Sequence, residues 1–206
     1  MFITFEGVEG SGKSTQAKLL VEFLSQCGYK VTLTREPGWG RLGELIRKMI
    51  LDERDLDLDP FSELCLFCAD RAQHVRDFIK PKLQDGEIVI CDRYFDSTVV
   101  YQGHGRKLDK PLVNKIATAS TLDLIPNITF LLNLPVRTGL TRLQTRGEIT
   151  KMDEEPLEFH EMIRQGYMLL ARREPERIKK INGDRDSSEI HEEISGIVIN
   201  SIAKKS

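Results

Sequence analysis

Gly7-Val8-Glu9-Gly10-Ser11-Gly12-Lys13-Ser14 sets an amine and a hydroxyl at the end of a glycine-rich turn, and Thr15 follows. The spacing is that of a phosphate-binding loop, G-x-x-x-x-G-K-[ST]. Such a loop aims successive backbone N–H groups, and the positive end of the next helix, at one anionic group. Lys13 is expected to reach the β- and γ-phosphates of a nucleotide as a point charge. The Ser14 hydroxyl is expected to ligate Mg²⁺. Asp92-Arg93 follows a second candidate strand. An Asp there can hold Mg²⁺, and an Arg can grip phosphate in a bidentate way. Arg35-Glu36-Pro37-Gly38 ends a third run in a turn, with Arg35 free to meet a further phosphate.

These groups need a scaffold that brings strand ends together. Apolar, β-prone runs occur at residues 1–5, 30–34, 87–91, 127–133 and 178–182. Helical spacing lies between them, at 13–26, 42–51, 61–82, 112–119, 136–146 and 157–174. A last helix is expected from about residue 188 to 203, with Asp186 and Ser187 as candidate caps. Strands alternating with helices predict an α/β fold: a parallel sheet of five strands covered on both faces. Residues 87–91 are nearly continuous in apolar side chains, as a central strand requires. Without repeats or a linker, residues 1–206 are expected to form one domain. The most polar stretch, residues 146–156, reads as a solvated loop or a lid.

Bulk composition narrows the partners. Thirty Lys and Arg against 32 Asp and Glu give a net charge of −2, which advertises neither a nucleic-acid nor a membrane surface. No apolar run approaches a membrane span, and the chain enters its first strand without a basic leader. Cys65-x-x-Cys68 falls in a helical pattern with no second pair, against zinc. Cys27, Cys65, Cys68 and Cys91 therefore read as reduced thiols of a cytoplasmic protein.

The chain resembles thymidylate kinases over essentially its full length. The matching residues are Phe5-Glu6-Gly7-x-Glu9-Gly10-x-Gly12-Lys13-Ser14-Thr15, Arg35-Glu36-Pro37-Gly38, and Leu66-Phe67-x-Ala69-x-Arg71-x-x-His74. Asp92-Arg93-Tyr94-x-Asp96-Ser97, Tyr101-Gln102-Gly103-x-Gly105-Arg106 and Gly166-Tyr167-x-x-Leu170-Ala171 complete the match. The resemblance implies a P-loop nucleoside monophosphate kinase fold and phosphoryl transfer from ATP, with Mg²⁺, to dTMP. It also implies a homodimer packed through helices. Phe67 would stack on thymine and Arg71 would bond a thymine carbonyl; four residues apart, they share a helix face. Ser97, Thr98 and Gln102 lie where the family reads the base edge, and which one meets N3 is open. Tyr101 would press on C2′ of the sugar, beside Glu9. Arg35 and Arg93 would hold the acceptor phosphate, and Arg142 would pack on adenine near Gly183-Asp184. His74 and Tyr167 read equally as structural side chains.

Two departures from the family pattern stand out. The loop contains no arginine, so the cation that neutralises the migrating phosphoryl group must come from the lid. Arg146 is the leading candidate; Lys151 stands where relatives commonly carry an arginine. Trp39-Gly40 replaces the usual Gly-Thr, and Trp39 either closes over the acceptor or covers the adjacent helix. Two other functions fit a phosphate-binding loop: a kinase for another nucleoside monophosphate or deoxynucleoside, and a non-catalytic nucleotide switch.

Overall fold

The computed structural model describes residues 1–147 and 149–204, with Arg146 described by its backbone alone. The strands are β1 (Phe2–Glu6), β2 (Val31–Arg35), β3 (Ile88–Asp92), β4 (Ile128–Asn133) and β5 (Ile178–Asn182). They form one parallel sheet in the order β2-β3-β1-β4-β5. The chain leaves β1 toward one edge and crosses to the other side after β3. Side chains alternate between the two faces with the period of two that a strand imposes. Ile3, Phe5, Ile90, Phe130 and Leu132 pack under α1 (Lys13–Gln26) and the C-terminal helix Ser187–Ala203, through Leu20, Leu24, Ile190 and Ile194. Phe2, Val89, Cys91 and Leu131 face the opposite core with Tyr94, Val100, Phe159 and Ile163.

The expected strands are present, most of them beginning one residue later than the apolar runs. The further helices are α2 (Gly40–Arg47), α3 (Pro60–His74), α4 (Lys80–Gln84), α5 (Phe95–Val100), α6 (Lys110–Ser120), α7 (Val136–Arg146), α8 (Leu157–Arg173) and α9 (Ser187–Ala203), and all but α5 fall on expected helical stretches. Asp59 caps α3, accepting from the N–H groups of Phe61 (2.8 Å) and Ser62 (3.3 Å), with Pro60 in the first turn. α3 runs on through a π-helical turn at Val75–Ile79 into α4, so the long helix expected over 61–82 is nearly continuous. Asp186 flanks α9 as expected, but its side chain makes no capping bond. One helical stretch has no counterpart in the sequence pattern: α5 and the π-helical turn Tyr101–Gly105 that continues it. Ser97, Thr98, Val99 and Val100 are poor helix formers, and two glycines follow; tertiary burial overrides that preference.

Candidate active site

The register places Phe5 and Arg35 both opposite Asp92, so the C-terminal ends of β1, β2 and β3 share one rim. In open α/β sheets ligands bind outside this rim. A cleft of about 820 Å³ opens there. It is lined by Gly10–Ser14 of the loop, by Phe67, Arg71, Thr98 and Gln102, and by Arg35, Arg47 and Arg93.

At the loop end, Lys13 folds back. Its Nζ donates to the carbonyls of Gly7 (3.0 Å) and Val8 (2.8 Å) and to Ser11 Oγ (3.3 Å). Burial, and then repulsion from Arg93, push the Lys13 amine down to about 8. The loop lies against α7 backbone to backbone. A Cβ on Gly10, whose φ is +67°, would come within 2.0 Å of the Gly139 carbonyl oxygen. A Cβ on Gly139 would meet the Glu9 carbonyl oxygen at 2.3 Å. Beyond the loop, the Ser14 hydroxyl donates to Asp92 Oδ2. A hydroxyl and a carboxylate side by side are the hard oxygen donors Mg²⁺ takes, so these two residues fit the ion.

Arg93 organises the middle of the cleft. It occupies the left-handed region, φ 72°, at a cost of about 1–2 kcal/mol for a residue with a Cβ. Its own N–H bonds Phe5 O (3.0 Å), and the next N–H, of Tyr94, bonds Glu6 Oε1 (2.8 Å), fixing the turn. The guanidinium then reaches Glu9 Oε1 (2.9 Å), Gly7 O (3.2 Å), Ser97 Oγ (3.3 Å) and Tyr167 Oη (3.2 Å), and lies over the Tyr101 ring. Burial alone would raise the Glu9 carboxyl; Arg93, His160, Lys13 and the Tyr101 hydroxyl outweigh it and hold it at about 2. His160, buried on α8, places Nδ1 3.4 Å from Glu9 Oε2. Glu6 is a buried anchor, accepting from Ser97 Oγ (2.6 Å) and Tyr167 Oη (2.7 Å). Burial and Asp96 push its carboxyl up. Tyr167 thus belongs to the site network.

On α3, Phe67 is half-buried and lines the cleft. Arg71, 1 % exposed, donates Nε to Glu36 Oε2 (2.8 Å) and Nη1 to Ser120 Oγ (3.4 Å). Glu36 Oε1 pairs with His74 Nδ1 (2.9 Å), whose Nε2 meets Thr34 Oγ1 (2.8 Å). His74 is therefore a support for Arg71. Trp39 lines the cleft and also stacks on His74 (5.4 Å) and packs at a tilt on Phe78 (4.9 Å), beside the adjacent helix.

Arg47 was not legible as a site residue. One half-buried arginine on an amphipathic helix carries no motif; the fold aims it at the cleft, its Nη1 on Pro37 O (3.0 Å). Burial, then Arg35, lower its guanidinium. Gly139 escaped notice for the same reason. Arg142 joins Gly183 O (3.2 Å) and Asp184 Oδ1 (3.4 Å), where the sequence expects the adenine wall. In the segment expected as a lid, Thr150 and Asp153 form a capping box over the short 3₁₀ turn Lys151–Glu154. Lys151 Nζ is spent on Leu56 O (2.6 Å). The Arg146 side chain lies outside the described residues.

Comparison with known proteins agrees with this geometry. The family model described as thymidylate kinase matches residues 5–194. The chain is 46 % identical over 197 residues to the thymidylate kinase of Desulfovibrio desulfuricans, covering 92 % of this chain and 91 % of that one. It is 43 % identical over 209 residues to that of Maridesulfovibrio salexigens, with 98 % and 96 % covered. The crystal structure of thymidylate kinase from Ehrlichia chaffeensis superposes with a TM-score of 0.78 at 36 % identity, over 96 % of this chain and 98 % of that one. With its nucleotide loop, its arginine-lined cleft and this full-length similarity, the chain belongs to the thymidylate kinase family.

Proposed function

We propose the following division of labour for the reaction of this family member, transfer of the γ-phosphoryl group of MgATP to dTMP to give dTDP and ADP. The observation that carries it is that the loop, the arginines Arg35, Arg47 and Arg93, and Phe67, Arg71, Thr98 and Gln102 all line one cleft. The loop from Gly7 to Thr15 takes the ATP phosphates, and Lys13 turns from the Gly7 and Val8 carbonyls to the β- and γ-phosphates. Ser14 and Asp92 would hold Mg²⁺, which would supply positive charge to the ATP phosphates. Arg142 packs on adenine. Phe67 stacks on thymine, and Arg71, Ser97, Thr98 and Gln102 face its polar edge. Tyr101 bounds the sugar beside Glu9.

Arg35, Arg47 and Arg93 hold the acceptor phosphate, so its oxygen points along the cleft at the γ-phosphorus. That oxygen forms the new P–O bond as the bond to the β-phosphate oxygen breaks. Arg146 supplies lid charge to the migrating group; Lys151, bonded to the Leu56 carbonyl, anchors the lid segment instead. The pairing of Glu9 with Arg93 means that Glu9 orients the arginine rather than accepting a proton, its carboxyl held well below neutrality.

Initial rates with dTMP, dUMP, dGMP and dAMP test the base wall. The 5-methyl group is worth about 1–3 kcal/mol, so dUMP should be a poorer substrate by ~10–200-fold. Efficient use of either purine would exclude Phe67 and Arg71 as the base wall. Arg47→Ala tests the acceptor-phosphate cluster. Loss of a charge-assisted bond worth about 1.5–3 kcal/mol should raise KM for dTMP by roughly 10–100-fold, with KM for ATP little changed. A rise in KM for ATP instead would put Arg47 on the donor side.

We also propose a cytoplasmic homodimer that binds no nucleic acid. Among the described residues no helix is long and apolar enough to cross a membrane. Leu45 on α2 (54 % exposed) and Phe61 on α3 (44 %) are apolar surface a second copy would cover. Sedimentation of the wild type and of Leu45→Glu should show a dimer and its loss.

A further inference from the structure

Gln102 is fully buried at the base end of the cleft. Its amide is not free to turn. Nε2 lies 2.8 Å from Glu63 Oε1 on α3, and a carboxylate can only accept, so the amino half of the amide must face Glu63. Oε1 is then left over: buried, with no partner among the described residues. Leaving such an acceptor unmade costs about 1–3 kcal/mol, which a ligand donor would recover. Glu63 in turn is held by Arg106, whose Nε and Nη2 each meet one of its oxygens at 3.1 Å. Arg106 is itself fixed over the Phe159 ring, 4.9 Å from its centroid, and bonded to Glu155 (2.5 Å). Neither Glu63 nor Arg106 lines the cleft.

We infer that Glu63, clamped by Arg106, is a specificity-determining positioning residue: it locks the Gln102 amide so that its carbonyl oxygen alone meets the base. The inference rests on the reading that Gln102 faces the base edge. A fixed acceptor beside the Arg71 donors complements an imide edge, where a ring N–H adjoins a carbonyl. Thymine has that edge at N3 and C4. Cytosine presents a lone pair at N3 and an amino group at C4, opposing both protein groups. If the amide were free to flip, it would offer N–H to the cytosine N3 lone pair and discrimination would shrink. Polar complementarity of this kind separates substrates that stacking and shape treat alike.

The probe is the 5′-monophosphate of 5-methyldeoxycytidine, which keeps the sugar, phosphate and methyl group of dTMP and changes only the polar edge. The measured quantity is the ratio of kcat/KM for dTMP to that for this analogue. Glu63→Gln can donate to Gln102 Oε1 and so releases the amide. The ratio should fall by at least ~10-fold, mainly through KM, with kcat for dTMP kept within about threefold. Glu63→Asp still only accepts, so it should keep the ratio even where KM rises. A ratio unchanged in Glu63→Gln, or lost equally in Glu63→Asp, overturns the inference and leaves Glu63 a packing residue. Should Glu63→Gln fail to give a cooperative melt, Glu63→Met takes its place. It removes the acceptor that holds the amino half of the amide, and an unchanged ratio there is likewise fatal. Gln102→Leu separates the two levels. If it leaves the ratio intact, Gln102 does not read the base and the underlying reading fails; if it abolishes the ratio while Glu63→Gln does not, only the role of Glu63 fails.

Discussion

Lys13 is the residue where chemistry and burial conflict most directly. Its amine is desolvated and sits near Arg93, and three acceptors of the loop hold it. With its folded-state value down at about 8, the unfolded chain binds more protons between about pH 8 and 10.5. The cationic form is therefore penalised in the folded protein, in full below that window, and the penalty is relieved as pH rises through it. Phosphates of ATP favour the cation and reverse the shift. ATP binding should accordingly take up protons at about pH 8.5, and affinity should weaken as pH rises past about 8. Calorimetric titrations in two buffers of different ionisation enthalpy measure the uptake. Lys13→Ala should abolish it and lower kcat/KM by at least ~10³-fold, roughly 4 kcal/mol of transition-state stabilisation. Uptake that survives the substitution would assign the proton to another group.

At the scale of elements, the site depends on how closely one backbone approaches another. The nucleotide loop touches the first turns of α7 through Gly10 and Gly139, where no side chain fits. Gly139→Ala has an ordinary helical setting, so its cost falls on the loop it displaces. A shift of about 1 Å in reacting groups costs roughly 100-fold, and kcat/KM for ATP should fall by that order while the melting temperature moves little. A near-wild-type rate would mean the loop relaxes away from α7 without consequence. The turn between β2 and α2 carries the chain's single tryptophan. Trp39 stacks on His74, which supports Arg71 through Glu36, so events at the base wall reach the indole. Trp39 emission should change saturably with dTMP and much less with ATP. Titrations showing the reverse would place this turn beside the donor. Trp39→Phe should keep activity within about tenfold, since a smaller aromatic ring still stacks on His74.

At the scale of the whole molecule, one buried ion pair fastens the active-site helix to the sheet. Arg177, just before β5, forks onto both oxygens of Asp96 (2.7 and 2.8 Å) and reaches Thr129 Oγ1 on β4 (2.9 Å). Asp96 sits in the first turn of α5, next to Ser97 of the cleft. Arg177→Met would leave that carboxylate buried and unpaired, a loss of about 3–5 kcal/mol. For a chain of this size a melting point lower by roughly 10 °C is expected by thermal unfolding. Arg177→Met with Asp96→Asn should recover part of it, because the stranded charge is gone. A single variant melting like the wild type would show that water reaches Asp96.

The order of strands and helices along most of the chain and the nucleotide loop were legible in the sequence. Each is written within one element or turn, by a period of two or of 3.6, or by a run of glycines. Family motifs then named Glu9, Phe67, Arg71, Arg93 and Tyr101 but not their connections. Only the tertiary structure decided that Arg93 joins Gly7, Glu9, Ser97 and Tyr167, drawn from three regions of the chain. It alone brought Arg47 into one cleft with Arg35 and Arg93, and Gly139 to the loop. It committed Lys151 to Leu56, and it set Glu63 behind Gln102, 39 residues along the chain. The α5 stretch went unread because β-branched residues and glycines argue against a helix that burial nonetheless enforces. Local spacing encodes local geometry; contacts between distant residues follow from how the sheet orders its strands, and no short pattern records that order.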